Sequence, residues 1–379
     1  MTLTVIWNGQ VFSPQPQGVT SLLIGGGQVI RLGQLDVSLL QASGLVENVI
    51  DAQGCLVFPG LIDPHQHLVG AGGEEGFASR MPEMPLREII LAGITTVVGL
   101  LGTDTVTRNP VSLYAKVQQL NAEGITAYMY TGGFELPPHT IMASPLEDIV
   151  MIDPVIGTGE IAISDPRWID PQLYNLAYVI SQTQLAGQMA GKAGVTHIHT
   201  GPSEKRLSLL HQILDEYAIK PESIYATHIT RSPELMRDAV SLAARGAYVD
   251  MDTVDGGIPD HLHHYLQAGG DPNHVTVSSD SYTPGGSPAK FWQAFADCWR
   301  DDRLTATQVL KAFCVNTAKV LKLNQKGHLH PGADADVLIV REETMKITHL
   351  LAGGKLLIEN AQQVHKGEQD RLLKQGVVE

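Results

Sequence analysis

Two textures of apolar residues divide the 379-residue chain. Residues 1–58 carry short alternating or β-branched runs, TVIWNG, SLLIGGGQVIRLG and ENVIDAQGCLVF, broken by Gly, Asn and Asp. Such runs read as strands joined by turns. The same texture returns near the C-terminus in ADVLIVREE and KITHLLAGGKLLIEN. Between the two ends, strand-like runs near 60–63, 94–100, 125–131, 155–163, 195–200, 224–229, 247–252 and 275–280 alternate with helical segments. Asp170-Pro171 and Ser232-Pro233 each predict a helix start, an N-cap followed by an N1 proline, with Gly194 and Gly246 as the ends. Ser144 and Glu147 have capping-box spacing. Eight strands with intervening helices predict an α/β fold, a (β/α)8 TIM barrel over residues 59–329. A doubly wound open sheet shares the alternation and stays open at this point. The two β-rich ends predict one small β-sandwich domain built from residues 1–58 plus 330–379.

Composition narrows the class. Hydrophobic residues make up 43% of the chain, enough for a sizeable core. Lys and Arg number 26 against 40 Asp and Glu, a net charge of −14, which argues against nucleic acid and anionic membrane as general partners. Three scattered cysteines, Cys55, Cys298 and Cys314, form no disulfide framework and fit a reducing compartment. The N-terminal residues lack a signal-peptide pattern, and no apolar run approaches a membrane span. A cytoplasmic protein is expected.

One polar residue stands out in the apolar runs. In VIGTGEIAISDPR (155–167), Glu160 lies between Val155-Ile156 and Ile161-Ala162-Ile163. A carboxylate there must be paired or neutralised. In a barrel, chemistry gathers at the C-terminal ends of the strands. Those ends carry His65 and His67 (LIDPHQH), Glu160, His199 (VTHIHT), His228 (IYATHIT) and Asp280 (VTVSSD). A single strand-end histidine is more often structural. Four histidines and two carboxylates on five strand ends predict a site for two divalent metal ions, zinc being the expected one, with one Glu160 oxygen on each. His197, two residues before His199, shares its face but lies a layer deeper. It is read as a core or supporting histidine. Gly72, in the glycine-rich segment after His67, is a candidate for the pocket lining. His261, His263 and His264 receive no role.

At this point the chain resembles the amidohydrolase superfamily and, within it, the isoaspartyl (β-aspartyl) dipeptidases. The carrying segments are FPGLIDPHQHLVGAGGEEG, AGITTVVGLLGTD, TAYMYTGGFELP, AISDPR, HTGPSEK, ATHITR, VTVSSD and GADADVLIV, spread from about residue 55 to 340. The resemblance implies a metal-dependent barrel, a homo-oligomer, and hydrolysis of dipeptides whose N-terminal aspartate is linked through its β-carboxyl group. It implies that Glu74 takes the substrate's ammonium, that Arg167 and Arg231 take its carboxylates, and that Thr103 is a further contact. Asp280 is then both ligand and catalytic base, taking the proton of a metal-activated water and passing it to the leaving amine. Two departures stand out. Glu160 occupies the position of a carboxylated bridging lysine, with a shorter reach, and VIGTGE is one residue longer than the family pattern. A bulge at Thr158-Gly159 is therefore expected to advance Glu160. Phe134 stands where the family has a tyrosine that polarises the scissile carbonyl, with Tyr130 and Tyr282 as candidate substitutes. Alternative readings are an amidohydrolase for a cyclic imide or N-acyl amino acid, a single-metal site, and a metal-containing binding protein without turnover.

Overall fold

The computed structural model describes residues 3–365 and Gly367, so the rest of the expected 330–379 segment, and residues 1 and 2, lie outside the described residues. The N-terminal strands are β1 (Leu3–Phe12), β2 (Pro16–Gly25), β3 (Gln28–Gly33), β4 (Val46–Asp51) and β5 (Cys55–Pro59). Eight parallel strands follow: β6 (Leu61–Gln66), β7 (Ile94–Gly99), β8 (Thr126–Thr131), β9 (Val155–Ile163), β10 (Val195–Thr200), β11 (Ile224–Thr227), β12 (Tyr248–Asp252) and β13 (Val275–Ser278). They pair in sequence order, and a bridge from Gln66 to Ser281 brings the last strand back to the first. The Ser279 N–H donates to Asp63 Oδ1 at 3.1 Å across the same seam. The fold is a (β/α)8 barrel. The open-sheet alternative falls because the two edge strands meet.

The apolar runs become strands buried on both faces because each has barrel core inside and a helix outside. Ile161, Ile198, Val249 and Val277 are typical, each fully buried. The histidines and carboxylates singled out in the sequence gather at the C-terminal side of the barrel. The helix starts follow the expected chemistry at Ser232, whose hydroxyl accepts from the Leu235 N–H at 3.1 Å, and at Ser144, which accepts from Glu147 N–H at 3.2 Å. Asp170 differs. The helix after β9 runs Leu173–Ala190 and ends at Gly191, not Gly194. Asp170 instead accepts from the Ser164 N–H and from Lys205 Nζ at 2.9 Å, so its carboxylate braces the loop rather than the helix.

The closing strands are β14 (Val337–Arg341), β15 (Lys346–Ala352), β16 (Lys355–Glu359) and β17 (Gln362–Gln363). They join the N-terminal strands in one nine-stranded sheet, ordered β17-β16-β15-β14-β5-β1-β2-β3, with β4 added beside β1. Ile6, Leu22, Val57, Val337 and Ile339 form its own core. Only Gly60 separates β5 from β6. A Cβ at Gly60 would lie 2.2 Å from Thr95 Oγ1, so the join has no room for a side chain. Phe58 and Phe12 pack edge-on against Trp299, with centroids 4.6 and 4.9 Å away, and fix the sheet to the barrel's outer helices.

Candidate metal centre and substrate mouth

Strand β9 is not regular. Its ladder with β10 pairs Thr158 with Thr196 and then Ile161 with Ile198, three steps against two. The expected bulge is present between Thr158 and Ile161, with Gly159 and Glu160 inside it. Gly159 has φ +151°. A Cβ there would lie 2.6 Å from the His197 carbonyl oxygen, so only glycine fits against β10. The bulge turns Glu160 into the mouth of the barrel.

The other five strand-end residues come together around that carboxylate, and none of the six is more than 8% exposed. Glu160 Oε1 lies 3.7 Å from His67 Nε2. Glu160 Oε2 lies 3.0 Å from His199 Nδ1, 3.6 Å from His228 Nε2 and 3.7 Å from His65 Nε2. Asp280 Oδ1 lies 3.0 Å from His67 Nε2 and 3.3 Å from His65 Nε2. Adjacent ligands of one tetrahedral zinc lie roughly 3.3 Å apart, given bonds of ~2.0–2.1 Å. The overlapping triads His65–His67–Glu160, His65–His228–Asp280 and Glu160–His199–His228 each bring their ligand atoms within 4.8 Å. His65 Nε2 and Asp280 Oδ1 are buried with no hydrogen-bond partner among the described residues, as ligand atoms reserved for a cation would be. The donor set fits two divalent ions. His228 and Asp280 both hold positive φ, +66° and +44°, so ligand-bearing backbone is bent toward the cluster at two strand ends.

The electrostatics point the same way. Burial alone would raise the Glu160 pKa, but His65 and His199 outweigh it and hold the group well below the usual carboxylate range. Burial opposes ionisation of Asp280 too, and His65 and His67 again prevail. His65 itself would be neutralised by burial. Glu160 and Asp280 reverse this and push it up to about 10. Two ionised carboxylates at this depth demand positive charge beside them.

Two carboxylates that the strand-end reading did not select support the histidines. Asp165 Oδ2 lies 2.9 Å from His199 Nε2, and Asp252 Oδ2 lies 2.9 Å from His228 Nδ1. Each fixes one ring nitrogen as a donor and leaves the other to face Glu160, the usual support for a ligating imidazole. His197 plays the corresponding part below: its Nε2 lies 3.0 Å from His65 Nδ1. It is fully buried. Asp165 stands in the quoted AISDPR, and Asp252 ends β12. Reading that strand end as well would have found it.

The residues expected at the substrate lie above the cluster. Thr103 Oγ1 donates to Glu74 Oε1 at 2.7 Å. Arg167 Nη1 approaches the same Glu74 oxygen at 3.8 Å. Arg167 Nε and Nη2 clasp Asp165 at 2.9 Å each, and the guanidinium lies over the Phe134 ring, 5.1 Å from its centre. Arg231 Nη1 lies 3.2 Å from His199 Nε2 and donates to the Thr200 carbonyl. Gly72 (φ +72°) turns the loop beneath Glu74, where a Cβ would meet the Ser79 carbonyl at 2.6 Å. It lines a mouth cavity with Glu74, Phe77, Arg80 and Thr103. The Phe134 ring packs 4.5 Å from the His199 ring. Of the two candidate substitutes, Tyr282 has its hydroxyl bonded elsewhere, whereas the Tyr130 hydroxyl is buried with no hydrogen-bond partner among the described residues. Tyr282 donates to Glu88 Oε1 at 2.9 Å, and Tyr130 stacks on His197 in an apolar layer with Val98, Leu100 and Ile156.

Comparison with known proteins follows from this geometry. The amidohydrolase family model matches residues 181–357. The chain is similar to the crystal structure of a β-aspartyl dipeptidase from the thermophilic, keratin-degrading Fervidobacterium islandicum AW-1. Identity is 34% and the TM-score 0.91, over 97% of this chain and 100% of that one. The β-aspartyl dipeptidase of the same organism in complex with a β-Asp-Leu dipeptide gives 33% identity and a TM-score of 0.90 with the same coverage. An adenine deaminase from Geobacillus kaustophilus (strain HTA426) is 23% identical over 387 residues, 95% of this chain but only 61% of that protein's length.

Proposed function

The chain is an amide hydrolase of the isoaspartyl dipeptidase family, within the amidohydrolase superfamily, and from that premise we propose that it cleaves β-aspartyl dipeptides with two divalent ions, zinc being the expected metal. The observation that carries the proposal is Glu160, whose two oxygens reach four histidines: Oε1 towards His67, Oε2 towards His199, His228 and His65. His65, His67 and Asp280 would hold one ion, His199 and His228 the other, and Glu160 would join them. Such ions supply Lewis acidity, lowering the pKa of a bound water and polarising the scissile carbonyl.

The chain's own groups would do the rest. Asp280 accepts the proton of the attacking water and returns it to the leaving nitrogen. Its carboxylate is suited to this because the imidazoles keep it ionised. Glu74, steered by the Thr103 hydroxyl, receives the substrate's ammonium. Arg167 and Arg231 present planar forks to its carboxylates, as bidentate recognition requires. Asp165 holds Arg167 in place through a bidentate pair on the Nε–Nη2 edge of its guanidinium. Phe134 offers an apolar wall and no hydroxyl, so carbonyl polarisation would fall to the ions alone.

The test is release of free aspartate by the zinc-loaded protein from a panel of β-aspartyl dipeptides, with the α-linked isomers as controls. Turnover of the β-linked set alone is expected. Failure of fully metallated protein on both sets would overturn the reading and turn attention to cyclic imides and N-acyl amino acids.

Assembly and location follow in outline. The helix Leu173–Ala190 has no charged residue, and it exposes Tyr174 (64%), Tyr178 (53%), Leu185 (48%) and Met189 (62%) along one side. An uncharged apolar stripe of this length favours a second copy of the chain as its cover. Sedimentation equilibrium is expected to show a dimer or a multiple of it, and a stable monomer would refute this. Three buried free cysteines favour a reducing, cytoplasmic setting, and no described helix is long and apolar enough to cross a membrane.

A further inference from the structure

The segment after His67 leaves the barrel as an irregular loop. Among the described residues it has no strand or α-helix between Gln66 and Leu86, only a single 3-10 turn at Phe77–Ser79. Its backbone ties to the barrel and between its two legs are Gly70 N–H to His67, Ala71 N–H to Tyr282, Met81 N–H to Ala71 and Met84 N–H to Leu68, while the tip has only the local turns Gly76 N–H to Gly73, Ser79 N–H to Gly76 and Arg80 N–H to Phe77. Glu74 stands at its exposed tip. A carboxylate on such a loop would wander unless something fixed the base.

What fixes the base is one guanidinium. Arg108, 4% exposed, lies just before the helix that follows β7. Its Nε donates to the Val69 carbonyl at 3.0 Å. Its Nη1 donates to the Gly72 carbonyl at 3.3 Å and to Asp104 Oδ2 at 2.9 Å. Its Nη2 donates to the Ala71 and Met81 carbonyls, both at 3.0 Å. An arginine side chain has five N–H donors, and all five are engaged. Four of the acceptors are carbonyls from the two legs of the Glu74 loop. The fifth is Asp104, which neutralises the charge and is itself held by the Val106 and Thr107 N–H groups at 3.2 and 2.8 Å. Asp104 directly follows Thr103, whose hydroxyl touches Glu74. The short segment 103–108 therefore grips the loop twice, at its tip and at its base.

We infer that Arg108 is a positioning residue for recognition of the substrate's ammonium group, acting through the loop that carries Glu74. The inference depends on the proposed role of Glu74. Lysine could not replace the arginine, because three donors on a single nitrogen cannot reach four carbonyls on two chain segments.

The test compares β-Asp-Leu with succinyl-Leu, which has the same carboxylates and amide but no ammonium. Zinc-loaded wild-type protein is expected to prefer the aspartyl substrate strongly. In Arg108→Met, KM for β-Asp-Leu should rise about 10²-fold, the scale of a loss of positioning, with kcat much less affected. Succinyl-Leu kinetics should barely change, so the preference collapses. Adding Glu74→Gln to Arg108→Met should remove no further preference, since both act on one interaction. Equal losses on both substrates, with the preference intact, would overturn the inference and leave Arg108 a general fold residue. Should Arg108→Met fail to fold by circular dichroism, Arg108→Lys and Asp104→Asn replace it. Both should shift the preference in the same direction by less, and an unchanged preference in both refutes the inference. A wild-type protein that ignores β-Asp-Leu altogether is a different result, because it removes the functional reading itself.

Discussion

The six-residue cluster that includes Glu160 and the set of Glu74, Thr103, Arg167 and Arg231 share one mouth, but the molecule holds them in different ways. The first group stands at strand ends, where the barrel's hydrogen-bonded ladder fixes the backbone. Their rings are then set by a second layer, Asp165, Asp252 and His197, with every partner buried. The second group stands on loops. The side chains of Glu74 and Arg167 are 39% and 44% exposed. They are held by clasps between neighbouring loops, Thr103 on Glu74 and Asp165 on Arg167. The lesson concerns tolerance. Reacting groups need placement to a fraction of an ångström, and strands give it. Groups that select a substrate sit where loops can vary, with clasps making up for the missing ladder.

That contrast makes unequal predictions. The largest effect belongs to the buried group. Asp280→Asn keeps the shape of the side chain and removes the base, so kcat should fall about 10²–10⁴-fold while KM for a β-aspartyl dipeptide changes little. Steady-state kinetics at matched zinc content checks this. A rise in KM with kcat kept would move Asp280 into the binding group and dissolve the distinction. The smaller effect belongs to the loops. Glu74→Gln should raise KM by roughly 10–100-fold, the range for a hydrogen bond to a charged group, with kcat nearly kept. A collapse of kcat with bound zinc intact would place Glu74 among the reacting groups instead.

The barrel was legible because its strands are fully buried and read as continuous apolar runs with polar ends. The cluster of histidines and carboxylates was legible for the same reason: a histidine at the end of such a run breaks the pattern visibly. Glu160 was the clearest break of all, and VIGTGE was one residue too long to be regular. Asp165 and Asp252 were on the page but hidden. In sequence Asp165 is simply a neighbour of Arg167, and Asp252 is the second acid of YVDMD. What makes them matter is a ring brought from 34 and 24 residues away. Arg108 gave no local sign. An arginine before Asn-Pro reads as a solvated helix flank, and its burial comes from a loop nearly forty residues earlier in the chain. Asp170 misled in the opposite sense, since an N-cap sequence was used by the tertiary structure for another bond. The uncharged helix Leu173–Ala190 was equally visible in the sequence. It acquires meaning only once the fold shows which of its sides faces outward.

The bulge at Gly159 sets a boundary on how such a site can change by single steps. Under the proposed role of Glu160, the main chain takes over a distance that the longer carboxylated lysine implied by the family resemblance would cover. A lysine introduced at position 160 alone would start from the advanced backbone and overshoot the histidines. Deleting the extra residue alone would withdraw the glutamate from them. Each change is unfavourable without the other, so the two forms of the site are separated by a valley that one substitution does not cross. Glutamate also needs no carbon dioxide to become a bridging anion. In the proposed role, a glutamate at this position would let the centre assemble from protein and metal alone, whatever the bicarbonate level around it.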